Sequence, residues 1–219
     1  MSAPLSLCAV VVLYRTDPAM LRRMLASLDA AVRHARAAGA AADVAVRIGD
    51  CSDEPVLDAA PTVDGVRASY DVFGENVGHS GGVNRLMTDV SQDAALLLNP
   101  DLLLAVDAVT ELVRRMQGDD LIGVVDARQL PFEHPKPHDP TTGDAPWASM
   151  AAALVRRKTW DDVGPLDAVC FPMHGNDVDF SWRARLAGWR VVHAAAARVF
   201  HDKRLTAAGT VAPSEVEEE

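Results

Sequence analysis

This 219-residue sequence lacks paired cysteines, a long apolar run and an excess of positive charge. Its three cysteines, Cys8, Cys51 and Cys170, are odd in number and form no CxxC pair. That excludes a disulfide framework and a zinc finger, and it fits a reducing cytoplasm. Each cysteine is expected to be a small buried residue. No apolar run approaches the roughly 20 residues that span a bilayer. The apolar stretch over 6–13 has no basic leader, so no signal peptide is expected. The formal net charge is −10, which disfavours non-specific binding to nucleic acid or anionic membrane. Some of that charge lies in the last six residues, Ser-Glu-Val-Glu-Glu-Glu. Residues 205–219 read as an acidic, solvated and disordered tail.

A glycine-rich turn after the first strand is missing too. Residues 5–13 form a short continuous apolar run, as in a strand buried on both faces. It leads into Tyr14-Arg15-Thr16-Asp17-Pro18, without glycine. A dinucleotide fingerprint would sit there, and a P-loop is also absent, so a nicotinamide dehydrogenase is excluded.

What is present alternates. Thr16 or Asp17 can cap a helix with Pro18 in its first turn, and Leu21, Met24, Leu25, Leu28 and Val32 mark one helical face ending near Gly39. Strands are predicted over 44–48, 66–70, 94–98 and 121–125. Helices are predicted from a Ser80 cap through Val90 and over 107–116. Such alternation predicts an α/β fold, a single Rossmann-like, mostly parallel sheet flanked by helices. Residues 127–147 are proline-rich and read as a long functional loop. A strand over 148–155, helices over 160–163 and 177–186, and edge strands over 190–193 and 198–201 follow. Trp182 is assigned to the core.

Three carboxylates fall at predicted strand ends: Asp50, Asp101 and Asp126. In a parallel sheet, ligands bind beyond those ends. Each Asp also suits ordinary turn chemistry.

The motifs in order resemble family 2 glycosyltransferases of the GT-A fold, in their rhamnosyltransferase-like branch. The family's VVVTYNR is similar to residues 10–15, ending in Tyr14 and Arg15. VVDNGSTD is similar to 48–53, with Asp50 and Ser52 kept and Cys51 in place of Asn. NxGxxGGxNxG is similar to Asn76, Gly78, Gly81, Gly82 and Asn84. LLLNPD stands as Leu96 to Asp101, with Asn99 inside it. The long GxDERFFxYGEDVDLxWRxRxAGxR resembles 164–190, with Asn176 where the family has Glu. The closing VxH is Val199 to His201. The likeness covers roughly residues 7–202, and six ordered motifs are far more specific than any one alone.

The resemblance implies sugar transfer from a nucleoside-diphosphate donor, dTDP-rhamnose first and a UDP- or GDP-sugar next, with inversion. The acceptor stays open among a glycan, a lipid-linked sugar and a small molecule, as does a homodimer. Asp101 and His201 would hold Mn²⁺ or Mg²⁺. Asp177 would be the general base, although a first-turn capping role also suits it. Tyr14, Asp50, Ser52, Asn76, Gly78, Gly82, Asn84 and Asn99 would border the nucleotide. Trp147, Asn176, Asp179 and Arg183 would face acceptor or sugar. Residues 1–204 then form the catalytic domain, its nucleotide half about 1–126 and its acceptor half, with smaller sheet elements, about 127–204. The location is cytoplasmic, with room for a peripheral visit to the inner membrane face. The rival readings are a degenerate sugar-nucleotide-binding protein and a sugar-nucleotide pyrophosphorylase, whose basic glycine-rich loop is missing after strand one.

Overall fold

The computed structural model describes residues 3–64 and 66–201. The predicted acidic tail lies outside the described residues. In chain order the elements are β1 (Leu5–Leu13), α1 (Pro18–Ala37), β2 (Ala41–Asp50), β3 (Thr62–Val63), β4 (Val66–Arg67), β5 (Ser69–Val72), α2 (Gly78–Met87) and β6 (Ala94–Leu98). Then come β7 (Leu102–Leu104), α3 (Ala108–Gln117), β8 (Ile122–Leu130), β9 (Ala152–Arg156), α4 (Arg157–Val163), α5 (Asn176–Leu186) and β10 (Arg190–His201).

Eight strands form one sheet in the order β5-β2-β1-β6-β9-β8-β10-β7. The first four are parallel neighbours, as predicted. The other half is mixed, although six of the eight strands share one direction, as expected. β9 runs antiparallel to both β6 and β8, and β7 antiparallel to β10. Adjacent parallel strands need a crossover, usually helical. The proline-rich segment between β8 and β9 supplies no helix, so β9 returns in the opposite sense. β9 thereby returns the chain to the starting edge of β8, and α4 and α5 lead from there into β10, which runs parallel to β8.

The apolar runs are buried on both faces, and alternation divides them. Leu7, Ala9, Val11, Leu96 and Leu98 pack with Leu21, Met24 and Leu28 of α1 and Val109, Leu112 and Val113 of α3. Cys8, Val10, Ala95 and Leu97 pack on the other face with Val83 and Leu86 of α2 and with Trp160 and Phe180. Full burial of each such side chain contributes about 1.5–3 kcal/mol. Asp17 caps α1 by accepting from the Ala19 amide at 2.9 Å.

Several expectations change. The predicted third strand splits: β4 pairs β3 in a separate ribbon, and only β5 joins the main sheet. Ser80 is no cap; α2 starts earlier, from Val77, and buried Ser80 lies inside it. Asp126 does not end its strand, because β8 runs on to Leu130. Trp182 is 59% exposed, since Phe180, Ser181 and Ala184 take the inward face of α5. Cys170 is exposed, whereas Cys8 and Cys51 are buried.

The two predicted edge strands are one strand, β10, and β7 outside it forms the edge. β10 carries a wide bulge: Ala194 faces Ala127, yet Arg198 faces Arg128. Such a bulge bends its strand. The bend is necessary. β6 ends at Leu98 and β7 starts at Leu102, four places away in the sheet. Four strand spacings are about 19 Å, and four residues reach only about 14 Å. The sheet therefore curls, bringing the end of β10 to the carboxyl end of β6.

Candidate active site

The curl places Asp101 beside His201. Asp101 lies in the turn from β6 to β7, and His201 is opposite Leu102. His201 Nε2 stands 3.0 Å from Asp101 Oδ2. Asp101 Oδ1 is buried and has no hydrogen-bond partner among the described residues. A buried carboxylate oxygen without a donor is costly unless a ligand completes it. The neighbouring Asn99 is half-buried, and its amide donates to the Ala151 carbonyl at 2.8 Å. A cavity of about 290 Å³ opens on Asp101 and His201, bordered by Met20, Arg23, Leu103 and Phe200. A larger cavity, about 450 Å³, lies beneath the proline-rich segment near Arg185 and Arg190. None of the sequence-predicted site residues lines it, so the smaller cavity is the better candidate.

The donor set fits a divalent cation shared with a ligand. One carboxylate and one imidazole, plus phosphate oxygens, suit Mn²⁺ or Mg²⁺. Among the described residues no group of three or more His, Cys, Asp or Glu could hold a metal by itself. Protein side chains alone therefore do not complete the shell.

Asp50 behaves oppositely. It is fully buried at the end of β2, and protein donors saturate it. Tyr70 Oη donates to Oδ2 at 2.5 Å, the Val56 amide to Oδ2 at 2.8 Å and the Ser52 amide to Oδ1 at 2.9 Å. Burial opposes ionisation, but these donors outweigh it and hold the carboxyl below its ordinary range. The Ser52 hydroxyl accepts from the Arg15 amide at 2.7 Å, tying the ends of β1 and β2 together. Half-buried Tyr14 lies under the Arg15 guanidinium, 5.0 Å from ring centroid to Cζ.

Asp177 sits in the first turn of α5, one residue in from Asn176, with Gly175 at the cap in a left-handed conformation (φ +78°). Its Oδ1 accepts from the Val178 amide at 2.9 Å. Burial raises its pKa, and this effect exceeds the opposing pull of the Val178 amide and of positive charge on Lys136 and His174. The direction runs against the helix dipole, which favours the ion at a first-turn position. Nearby, burial of the His79 ring, helped by His174, pushes its pKa down to about 4, so His79 is neutral at pH 7.

The glycine-rich motif and the 164–190 motif meet each other. Asn84 exchanges two hydrogen bonds with the Leu166 backbone, both 2.9 Å. Ser80 Oγ donates to the Phe171 carbonyl at 2.5 Å, and buried Asn176 donates to Ser80 Oγ at 2.7 Å. Asn76 accepts from the Gly78 amide at 3.0 Å. Gly82 lets α2 approach β1 closely; a Cβ there would lie 2.6 Å from Val12 Cγ1. Asp179 accepts from Arg183 Nε at 2.9 Å, and Arg183 also donates to the Val163 and Pro165 carbonyls at 3.0 Å. In this structure these polar groups hold the Asp177 turn in place.

Trp147 is half-buried between the proline-rich segment and α5, with Lys136 Nζ 5.0 Å from its ring centroid. Lys136 pairs with Asp126, both fully inside the fold. Asp126 also accepts from the Ser149 amide at 2.8 Å, and its Oδ1 contacts His193 Nδ1 at 3.0 Å. The sequence reading missed Lys136, His193, Gln129 and Ser149. A lysine amid prolines and a glutamine in an apolar strand were the available signals.

No protein-family model matches the chain, and no curated protein does. Solved structures do. The mannosyltransferase PcManGT from Pyrobaculum calidifontis, in complex with GDP-Man and Mn²⁺, superposes with a TM-score of 0.67 at 11% identity, covering 93% of this chain and 58% of that one. GalNAc-T7 with UDP, GalNAc and Mn²⁺ gives a TM-score of 0.74 at 14% identity, covering 96% of this chain and 46% of that one. This chain therefore spans about half the length of these two structures. At such identities the likeness shows the fold: an α/β architecture of the GT-A glycosyltransferase type.

Proposed function

We propose that this chain is an inverting glycosyltransferase of family 2, moving a sugar from a nucleoside-diphosphate donor to an acceptor hydroxyl. The observation that carries the reading is the buried Asp101 Oδ1, without a partner among the described residues, beside His201 Nε2 at the sheet edge where ligands bind in such folds. Both solved neighbours were captured with Mn²⁺ and with a sugar nucleotide or a nucleotide and sugar.

Asp101 and His201 would hold Mn²⁺ or Mg²⁺, which neutralises charge on the leaving diphosphate. Asp177 takes the proton from the acceptor hydroxyl. Its raised pKa supports that role, because a more basic carboxylate accepts a proton more readily. Tyr14 and the Asp50–Ser52 turn border the nucleoside, with Asn76, Gly78, Gly82, Asn84 and Asn99 framing the same edge. Trp147 and helix α5, through Asn176, Asp179 and Arg183, border the acceptor side. dTDP-rhamnose is the first donor to test, and the cytoplasm is the expected compartment.

The test is thermal unfolding with a panel of dTDP-, UDP- and GDP-sugars, each with and without Mn²⁺. The expected result is a metal-dependent rise in midpoint with one donor. No shift with any nucleotide would sink the reading. A degenerate sugar-nucleotide-binding protein would show the shift without turnover.

A further inference from the structure

Gln129 is a fully buried amide in the apolar strand β8. A buried amide is costly unless both ends are satisfied. Here both are. Oε1 faces His201 Nδ1 at 2.8 Å, and Nε2 donates to Ser149 Oγ at 2.8 Å. The backbone fixes it further: the Gln129 amide donates to Glu133 Oε2 at 3.1 Å, and the Ser149 amide donates to Asp126 Oδ2.

We infer that Gln129 is a positioning residue for the metal site, and that it sets the tautomer of His201. This rests on the metal reading above. With its oxygen toward the ring, Gln129 accepts a hydrogen bond from Nδ1–H. The lone pair then belongs to Nε2, the nitrogen that faces Asp101. Imidazole ligands commonly depend on such an outer partner for orientation and tautomer. Ser149 Oγ, a hydroxyl that can accept or donate, holds the far end of the Gln129 amide in place, and the Nδ1–H of a metal-binding ring turns the Gln129 oxygen toward itself. Ser149 is in turn tied to the Asp126–Lys136 pair, so the orientation of His201 is anchored in the buried half of the sheet.

The test uses the full chain, Gln129→Met and Gln129→Glu. Methionine matches the length but accepts no comparable hydrogen bond; glutamate keeps the acceptor. Mn²⁺ binding is read by the electron paramagnetic resonance signal of free Mn²⁺, with UDP present. The ring tautomer is read by long-range ¹H–¹⁵N correlation on the chain loaded with diamagnetic Mg²⁺ and UDP, because without a metal the Asp101 carboxylate facing Nε2 competes for the proton. The native ring should carry its proton on Nδ1. Q129M should weaken Mn²⁺ binding by about 10–100-fold and shift the proton toward Nε2. Q129E should restore both. A native ring protonated on Nε2, or Q129M binding Mn²⁺ as the native chain does, overturns the inference. The first measurement needs no variant, so it decides even if Q129M fails to fold. A native chain that binds no Mn²⁺ overturns the metal reading and this one together. Native Mn²⁺ binding that is lost in Q129M, in a chain that transfers no sugar, supports the positioning role and overturns only the transferase reading.

Discussion

Asp50 and Asp101 stand at the same edge of one sheet and face opposite situations. Asp50 closes a strand of the parallel half and receives three hydrogen bonds from its own protein. Asp101 lies where the mixed half curls back, with one oxygen against His201 and the other without a partner among the described residues. A saturated carboxylate contributes to folding. One left short of donors, in a buried position, marks where a ligand would complete the structure. Asp50 is thus finished by its own protein, and Asp101 is the carboxylate that the proposed metal would finish.

The largest expected effect is on Asp177. Asp177→Asn should lower turnover by about 10²–10⁴-fold with little change in donor binding. Turnover at the native rate would remove Asp177 as base. The same substitution should raise stability at neutral pH. A carboxyl whose folded pKa is raised loses stabilisation as pH climbs through that value, so the variant's advantage should close as pH falls to its ordinary 3.8. Chemical denaturation across pH reads this directly.

Next is the buried pair of the mixed half. Lys136→Met leaves Asp126 without its cation and should cost about 3–5 kcal/mol in urea unfolding. A cost near zero would mean that His193 and the Ser149 amide suffice to hold Asp126.

The two carboxylates can then be compared directly. Asp50→Asn should cost about 1–3 kcal/mol of stability, because three donors lose a charged acceptor. Asp101→Asn should change stability by less than about 0.5 kcal/mol but abolish Mn²⁺ binding. The reverse pattern would break the contrast between them.

The smallest effect is a pH slope. His79 has a folded pKa of about 4, against an ordinary 6.5. The unfolded chain therefore takes up the proton first, and stability should decline as pH falls from 6.5 to 4. His79→Gln should flatten that part of the profile.

Much of the fold was legible locally. The bounds of β1 and β6 were read to the residue, since continuous apolar runs between turn signals have few other solutions. Asp17 with Pro18 marked the start of α1 for the same reason. Residues 66–70 and 190–201 were misdivided, because neither a short ribbon nor a bulge has a period. Trp182 was misplaced because the inward face of α5 is set by contacts with α4 and the sheet, and its own pattern is weakly amphipathic.

The sequence by itself determined the alternation of elements, the apolar strands buried on both faces, and which chemical groups are available: Asp50, Asp101, Asp177 and His201. Those follow from side-chain chemistry and short-range periodicity. Only the tertiary structure decided which carboxylate is saturated, that Asp126 carries a buried Lys136, and that His201 meets Asp101 across 100 residues of chain. These depend on register and curl. A three-residue link between β6 and β7 cannot cross a flat sheet, so the bulged strand β10 had to bend, and it carries His201 to the acid.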